Sequence, residues 1–193
     1  MMSAVNALFN HPGLRSFLVR MRVPLGIAIA AALIAYADPR WLWPALAVSM
    51  AGELIQLWCF ATLDKNASLA CRGPYAIVRN PMYLGRFFIL GGALMLLGQP
   101  WLLVLYAVVY WFYMVNRVGR EERRLREVLG APYADYCAGT RRFLPGAPYR
   151  GEPVLVWDWA LFRQNHGWQN FAGTAAFWIA AVVWLATHAG GAG

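Results

Sequence analysis

Trp41-Leu42-Trp43-Pro44-Ala45-Leu46-Ala47-Val48-Ser49-Met50-Ala51-Gly52-Glu53-Leu54-Ile55-Gln56-Leu57-Trp58-Cys59-Phe60-Ala61-Thr62-Leu63 is the stretch on which the fold turns. It holds 23 residues and one charged side chain, Glu53. A helix rises 1.5 Å per residue, so crossing a hydrocarbon core of about 30 Å takes roughly 20 residues. This stretch spans it without help. Four further apolar blocks accompany it, Val23–Ala37, Met82–Leu97, Trp101–Val118 and Phe171–Thr187. Val23–Ala37 and Met82–Leu97 are short for a span, but Arg22 and Arg86 can snorkel to the interface and lengthen them. Asp38-Pro39-Arg40 and Gly98-Gln99-Pro100 are tight turns that fold neighbouring blocks into hairpins. The expected fold is all-α, an integral membrane bundle of about five transmembrane helices.

Composition agrees. Of 193 residues 60% are hydrophobic, 13% are charged, and the mean hydropathy is +0.44. These values exclude a disordered chain and leave too few charges to cover a water-soluble domain. Seventeen Lys and Arg against nine Asp and Glu give +8, and sixteen of the seventeen are Arg. They fall between the apolar blocks, with no zinc-finger spacing and no polar recognition helix, so nucleic acid is not an expected partner. With five spans, and with Arg86 and Arg117 counted at the near boundary, Arg40 alone lies on the second side. The positive-inside rule then makes the basic side cytoplasmic. Cys59, Cys71 and Cys137 have no metal-ligand spacing, and no metal site is expected.

Residues 1–22 form an arm in which Leu14, Phe17, Leu18 and Met21 recur at helical spacing with Arg15, Arg20 and Arg22 off the stripe. That pattern suits a basic amphipathic helix on the membrane surface. It also argues against cleavage after Ala35-Tyr36-Ala37, which resembles a signal-peptidase site. Residues 23–69 are read as a first helical hairpin and 146–170 as an interfacial segment. There Trp157, Trp159, Phe162 and Trp168 alternate with polar residues, as a linker in the headgroup layer or as a lid over a lipid-facing site. Residues 171–193 make the last span and tail. Glu53 and Gln56 stand one turn apart near mid-span, where polar groups either carry function or hydrogen-bond between helices.

Two segments are denser in specific polar residues than topology requires. Gly73-Pro74-Tyr75-Ala76-Ile77-Val78-Arg79-Asn80-Pro81-Met82-Tyr83-Leu84-Gly85 sets Arg79 just ahead of a helix that opens on Pro81, a combination suited to an anion. Arg117-Val118-Gly119-Arg120-Glu121-Glu122-Arg123-Arg124-Leu125-Arg126-Glu127 offers the four-apart pairs Arg117–Glu121, Glu122–Arg126 and Arg123–Glu127, which could be surface ion pairs. Adjacent glutamates point about 100° apart on a helix, so one can pair while the other faces the bundle.

Taken together with Gly130-x-x-Tyr133-x-x-Tyr136 and Arg142-Phe143-Leu144-Pro145, these segments resemble the isoprenylcysteine carboxyl methyltransferase family. Phospholipid N-methyltransferases share much of the pattern. The resemblance covers residues 70–145 as a cofactor-binding core. It implies an S-adenosylmethionine-dependent membrane methyltransferase with a cytoplasmic cofactor pocket and a lipophilic acceptor, a prenylcysteine-type carboxylate or a phospholipid amine. Carried onto this chain, Tyr75, Val78, Arg79, Asn80, Pro81, Tyr83, Leu84, Glu121, Glu122, Tyr133 and Tyr136 would bind S-adenosylmethionine, and Arg79, Glu121 and Arg142 would act in catalysis. Arg79 suits the carboxylate of the cofactor, Glu121 or Glu122 its ribose hydroxyls or ammonium, and the tyrosine rings its adenine and sulfonium. Asn80 stands where the family most often has His, which leaves no titratable base there. Two other classes compete. A sterol or steroid reductase using NADPH shares an Arg-x-Pro-x-Tyr-x-Gly stretch, but this chain has Met82 and Arg86 where those enzymes usually have Asn and an acid. A membrane scaffold would not require Arg79, Tyr83 and the Glu pair together.

Overall fold

A computed structural model describes residues 12–64 and 69–188, with side chains from Arg20 onward. Among the described residues every regular element is helical. In order these are α1 (Pro12–Ala35), a 3₁₀ turn (Pro39–Trp41), α2 (Leu42–Phe60), α3 (Pro74–Ile77), α4 (Pro81–Met95), α5 (Pro100–Leu129), α6 (Ala131–Gly139), a second 3₁₀ turn (Tyr149–Gly151), α7 (Trp159–Gln164) and α8 (Gly167–His188). The all-α membrane bundle expected from the sequence is what forms. Among the described residues three stretches are long and apolar enough to cross a membrane, Pro39–Phe60, Pro100–Leu129 and Gly167–His188, while Pro81–Met95 is apolar but shorter. The arm and the first apolar block are not separate pieces, because α1 runs unbroken through Pro24. The start of the arm lies outside the described residues.

Prolines mark where α3, α4 and α5 begin, since the first turn of a helix has no use for the missing N–H. The two turns at the Arg40 end meet directly, the Asp38 N–H donating to the Leu96 carbonyl at 2.7 Å.

The most extensive interface is between α2 and α4, and small residues create it. A Cβ on Gly52 would stand 2.5 Å from the Gly85 carbonyl oxygen, and one on Gly92 would stand 2.6 Å from the Ala45 carbonyl oxygen. The two backbones therefore touch, the packing that small residues allow where lipid gives helices no hydrophobic reason to associate. Next to this seam, α5 fastens to α4 through tyrosines. Tyr110 donates to the Tyr83 carbonyl at 2.7 Å and Tyr106 to the Phe87 carbonyl at 2.9 Å.

α8 docks on α2 through polar groups. Glu53 is 1% exposed and accepts from Asn170 Nδ2 and Thr174 Oγ1, both at 2.8 Å. Trp178 Nε1 donates to Ser49 Oγ at 2.9 Å. Glu53 is thus an interhelical tie, one of the two roles its mid-span position allowed. Leu42, Ala45, Leu96, Trp178, Ala181 and Leu185 close the core beside it. The outward faces of α1, α5 and α8 expose Val23, Ile27, Val104, Phe112, Ile179 and Val183, as lipid-facing surfaces do.

Candidate functional site

The first polar segment is stitched to the chain that follows the second largely by main-chain groups. Arg79 N–H donates to the Arg141 carbonyl at 2.9 Å, and Gly146 N–H to the Ile77 carbonyl at 2.8 Å. Tyr136 Oη donates to the Tyr75 carbonyl at 2.6 Å, and Arg79 Nη1 to the Cys137 carbonyl at 3.0 Å. Gly73 makes the first corner with φ +63, and a Cβ there would also strike Thr62 at 2.5 Å. Gly130, at φ +61, turns α5 into α6 and brings Tyr133 and Tyr136 back over the site.

Between these elements lies a cavity of about 240 Å³. Its wall includes Tyr75, Arg79, Asn80, Tyr83, Glu121, Tyr133 and Tyr136, together with Leu63, Asp64 and Leu125. Seven of the residues carried over from the family pattern therefore converge on one space. Glu121 accepts from the Tyr83 hydroxyl at 2.9 Å. Burial raises the phenols of Tyr75, Tyr133 and Tyr136 above the ordinary tyrosine range, so all three stay neutral.

The remaining expected residues sit elsewhere. Glu122 is 3% exposed and lies behind the wall, where Arg142 binds it through Nε and Nη2. Arg79 Nε stands 3.5 Å from the same carboxylate, and Asn80 Nδ2 donates to it at 3.4 Å. The hydrogen bond to Glu122 raises the Arg142 pKa further and keeps that guanidinium charged. Glu122 therefore does not join a surface ladder with Arg126; it gathers two guanidiniums and an amide. Val78 and Pro81 are buried in the local turn, and Leu84 lines a different space.

That second space is an apolar groove of about 250 Å³ between α4 and α5, bounded by Leu84, Phe87, Tyr110, Trp111, Met114 and Phe143. Sequence reasoning did not identify it. Leu84, next to Tyr83, and Phe87, one turn beyond it, were its readable signal. Phe143 follows Arg142 directly, so the groove opens where the charged cluster ends. Asn80, in the place where the family most often has His, donates to the Arg142 carbonyl at 3.3 Å as well as to Glu122, a double donation from one nitrogen. Among the described residues no cluster suited to a metal ion occurs.

The site is therefore a carboxylate- and guanidinium-bearing cavity beside an apolar groove in an all-helical, largely apolar bundle. The chain belongs to the phospholipid methyltransferase family, whose model matches residues 27–131. It is similar to protein-S-isoprenylcysteine O-methyltransferase B of Arabidopsis thaliana, 29% identical over 86 residues, 45% of this chain and 42% of that one. The protein-S-isoprenylcysteine O-methyltransferase of Schizosaccharomyces pombe is 32% identical over 90 residues, 47% of this chain and 38% of its own length. That of Saccharomyces cerevisiae is 38% identical over 73 residues, 38% and 30% of the two chains. The resemblance read from the two segments is thereby borne out. The matched region spans about two-fifths or less of the length of these relatives. No solved structure matches the chain.

Proposed function

We propose that this protein is an S-adenosylmethionine-dependent methyltransferase that acts on a lipophilic acceptor at the cytoplasmic membrane surface. The observation that carries the reading is the adjacency of the polar cavity and the apolar groove across one turn of α4, with Tyr83 on one and Leu84 on the other. The wall suits the cofactor. Arg79 is a cation for its carboxylate, and its buried Nε, 3.5 Å from the Glu122 carboxylate, makes no hydrogen bond within the protein. Glu121 is an acceptor for hydroxyl or ammonium donors, and Tyr75, Tyr133 and Tyr136 offer faces to a ring or a sulfonium.

When bound, S-adenosylmethionine supplies an electrophilic methyl group. The protein's task is then alignment and exclusion of water. A carboxylate acceptor arrives ionised and requires no base, whereas an amine must lose a proton, for which Glu121 is one of two carboxylates in the wall, with Asp64. We favour a prenylcysteine-type carboxylate, because the apolar groove fits a hydrocarbon chain and the similar proteins bear that substrate in their names. Arg142, committed to Glu122, acts by holding Glu122 and Arg79 in place.

The test is calorimetry on the detergent-purified chain with S-adenosylhomocysteine and with NADPH, followed by transfer from labelled cofactor to a prenylcysteine analogue, phosphatidylethanolamine and a water-soluble thiol. The first ligand binds and NADPH does not. Glu121→Ala weakens binding by roughly ten- to hundredfold, the loss of a charge-assisted hydrogen bond of about 1.5–3 kcal/mol. The prenylcysteine analogue is methylated in preference to the other two. Transfer to the soluble thiol alone would sink the lipophilic acceptor, and NADPH binding would favour the reductase class.

Orientation has its own test. Reporter fusions at Gly98 and Gly193 both give the outer-side signal if five helices cross and the basic end faces the cytoplasm. A cytoplasmic signal at Gly98 reverses the orientation.

A further inference from the structure

The last carbonyls of any helix have no partner within it. At the end of α2 the Phe60 carbonyl, and those of Ala61 and Leu63 just beyond it, are taken by residues more than ninety positions later. Asn165 Nδ2 donates to the Phe60 carbonyl at 3.0 Å and to the Leu63 carbonyl at 2.7 Å. Asp158 N–H donates to the Ala61 carbonyl at 3.0 Å. Gly73 N–H donates to the Pro153 carbonyl at 2.9 Å, which ties the same segment to the corner that opens α3 and carries Tyr75. Leu63 and Asp64 line the cavity, as does Tyr75.

Asn165 is built into this position. It is 6% exposed and stands at the end of α7, which Asp158 caps by accepting from Ala160 N–H and Leu161 N–H at 2.7 and 3.1 Å. The next residue, His166, holds φ +61, a left-handed conformation that costs a non-glycine residue energy. That corner turns the chain from α7 into α8 and leaves the Asn165 amide against the end of α2.

We propose that Asn165 is a positioning residue for the cavity. Its carboxamide fixes the Leu63–Asp64 wall and makes the segment 152–170 part of the ligand site, although it lies beyond the family match at residues 27–131. The proposal rests on reading the cavity as an S-adenosylmethionine site and adds to that reading a residue and a segment. It differs from a merely structural role because α8 has independent ties to α2. Asn170 and Thr174 hold Glu53, and Trp178 holds Ser49. Loss of the Asn165 amide frees the wall and leaves the helix docked.

The experiment compares wild type, Asn165→Ala, Asn165→Gln and Trp178→Phe as full chains in detergent. It reads S-adenosylhomocysteine affinity, melting temperature and the hydrogen exchange of the Leu63, Asp64 and Gly73 amides. Asn165→Ala binds about tenfold more weakly, the scale of one to two lost hydrogen bonds, and those amides exchange faster. Asn165→Gln, which keeps the donors, recovers part of the affinity. Trp178→Phe, which cuts a tie between α2 and α8 away from the cavity, melts earlier and binds as wild type does. If Asn165→Ala does not fold, Asn165→Asp replaces it, since it keeps the shape and loses both donors. Wild-type affinity in the substituted chain overturns the proposal and leaves the cofactor reading standing, as does an equal loss in Trp178→Phe. Failure of the wild type to bind overturns both.

Discussion

Glu122→Ala destabilises the purified protein by about 3–4 kcal/mol and removes ligand binding with it. Taking one partner from a buried ion pair leaves the other charge uncompensated, at a cost of about 3–5 kcal/mol. Here the orphans would be two guanidiniums. The Arg79 side chain is 12% exposed and suffers most of that cost, while the Arg142 side chain is 36% exposed and can rehydrate. The expected loss therefore falls toward the lower part of the range. Denaturant unfolding in detergent measures it. Glu122→Ala/Arg142→Ala costs less than the sum of the single changes, because the second removal relieves one stranded charge. Strict additivity would mean that the pair is not coupled, contrary to the geometry. Glu122→Gln falls between, since it keeps an acceptor for Asn80 but loses the charge.

Gly52→Leu is the most damaging single substitution expected in the bundle. Added methylenes in a packed core commonly cost about 1–3 kcal/mol, and that figure assumes side chains that can shift. At Gly52 the first obstacles are the Gly85 carbonyl oxygen at 2.5 Å and the Ile89 nitrogen at 2.7 Å, both main chain. The helices must separate, and the expected loss exceeds about 3 kcal/mol, the top of that range. Gly26→Leu is the matched control, because nothing lies within 4 Å of a Cβ there. Equal yields of folded, detergent-extracted protein from the two variants would refute a backbone-contact seam.

Much of this architecture could be read from the chain. The Trp41–Leu63 block became α2, and the Gly98-Gln99-Pro100 turn became the start of α5 at Pro100. Apolar length and proline chemistry are local properties, so sequence carries them. The convergence of Arg79, Tyr83 and Glu121 was also legible, from the order and spacing of two separated segments. Which of two neighbouring glutamates turns inward was not. Position arithmetic offered Glu122 a partner at Arg126, whereas the bundle gave it Arg142, twenty residues on and across a corner set by Gly130. The seam has a trace in the sequence, small residues at 45, 49 and 52 that face others at 85 and 92. The ties from Arg141, Gly146 and Pro153 left none, because a main-chain hydrogen bond places almost no demand on residue type.

The contact of α2 and α4 backbones also bears on tolerance. Side chains between two helices act as a compliant layer, able to change rotamer and let the axes drift. A carbonyl oxygen facing a glycine has no such freedom, so these helices move as one body. Met82 and Tyr83, at the start of the second, therefore keep a fixed gauge to the end of the first, beyond which Leu63 and Asp64 line the cavity with the Leu63 carbonyl held by Asn165. The opposite wall, where Glu121, Leu125 and Leu129 of α5 and Tyr133 and Tyr136 of α6 meet across Gly130, joins that body through side chains, Tyr83 to Glu121 and Tyr136 to the Tyr75 carbonyl. The site is a caliper with one immovable jaw.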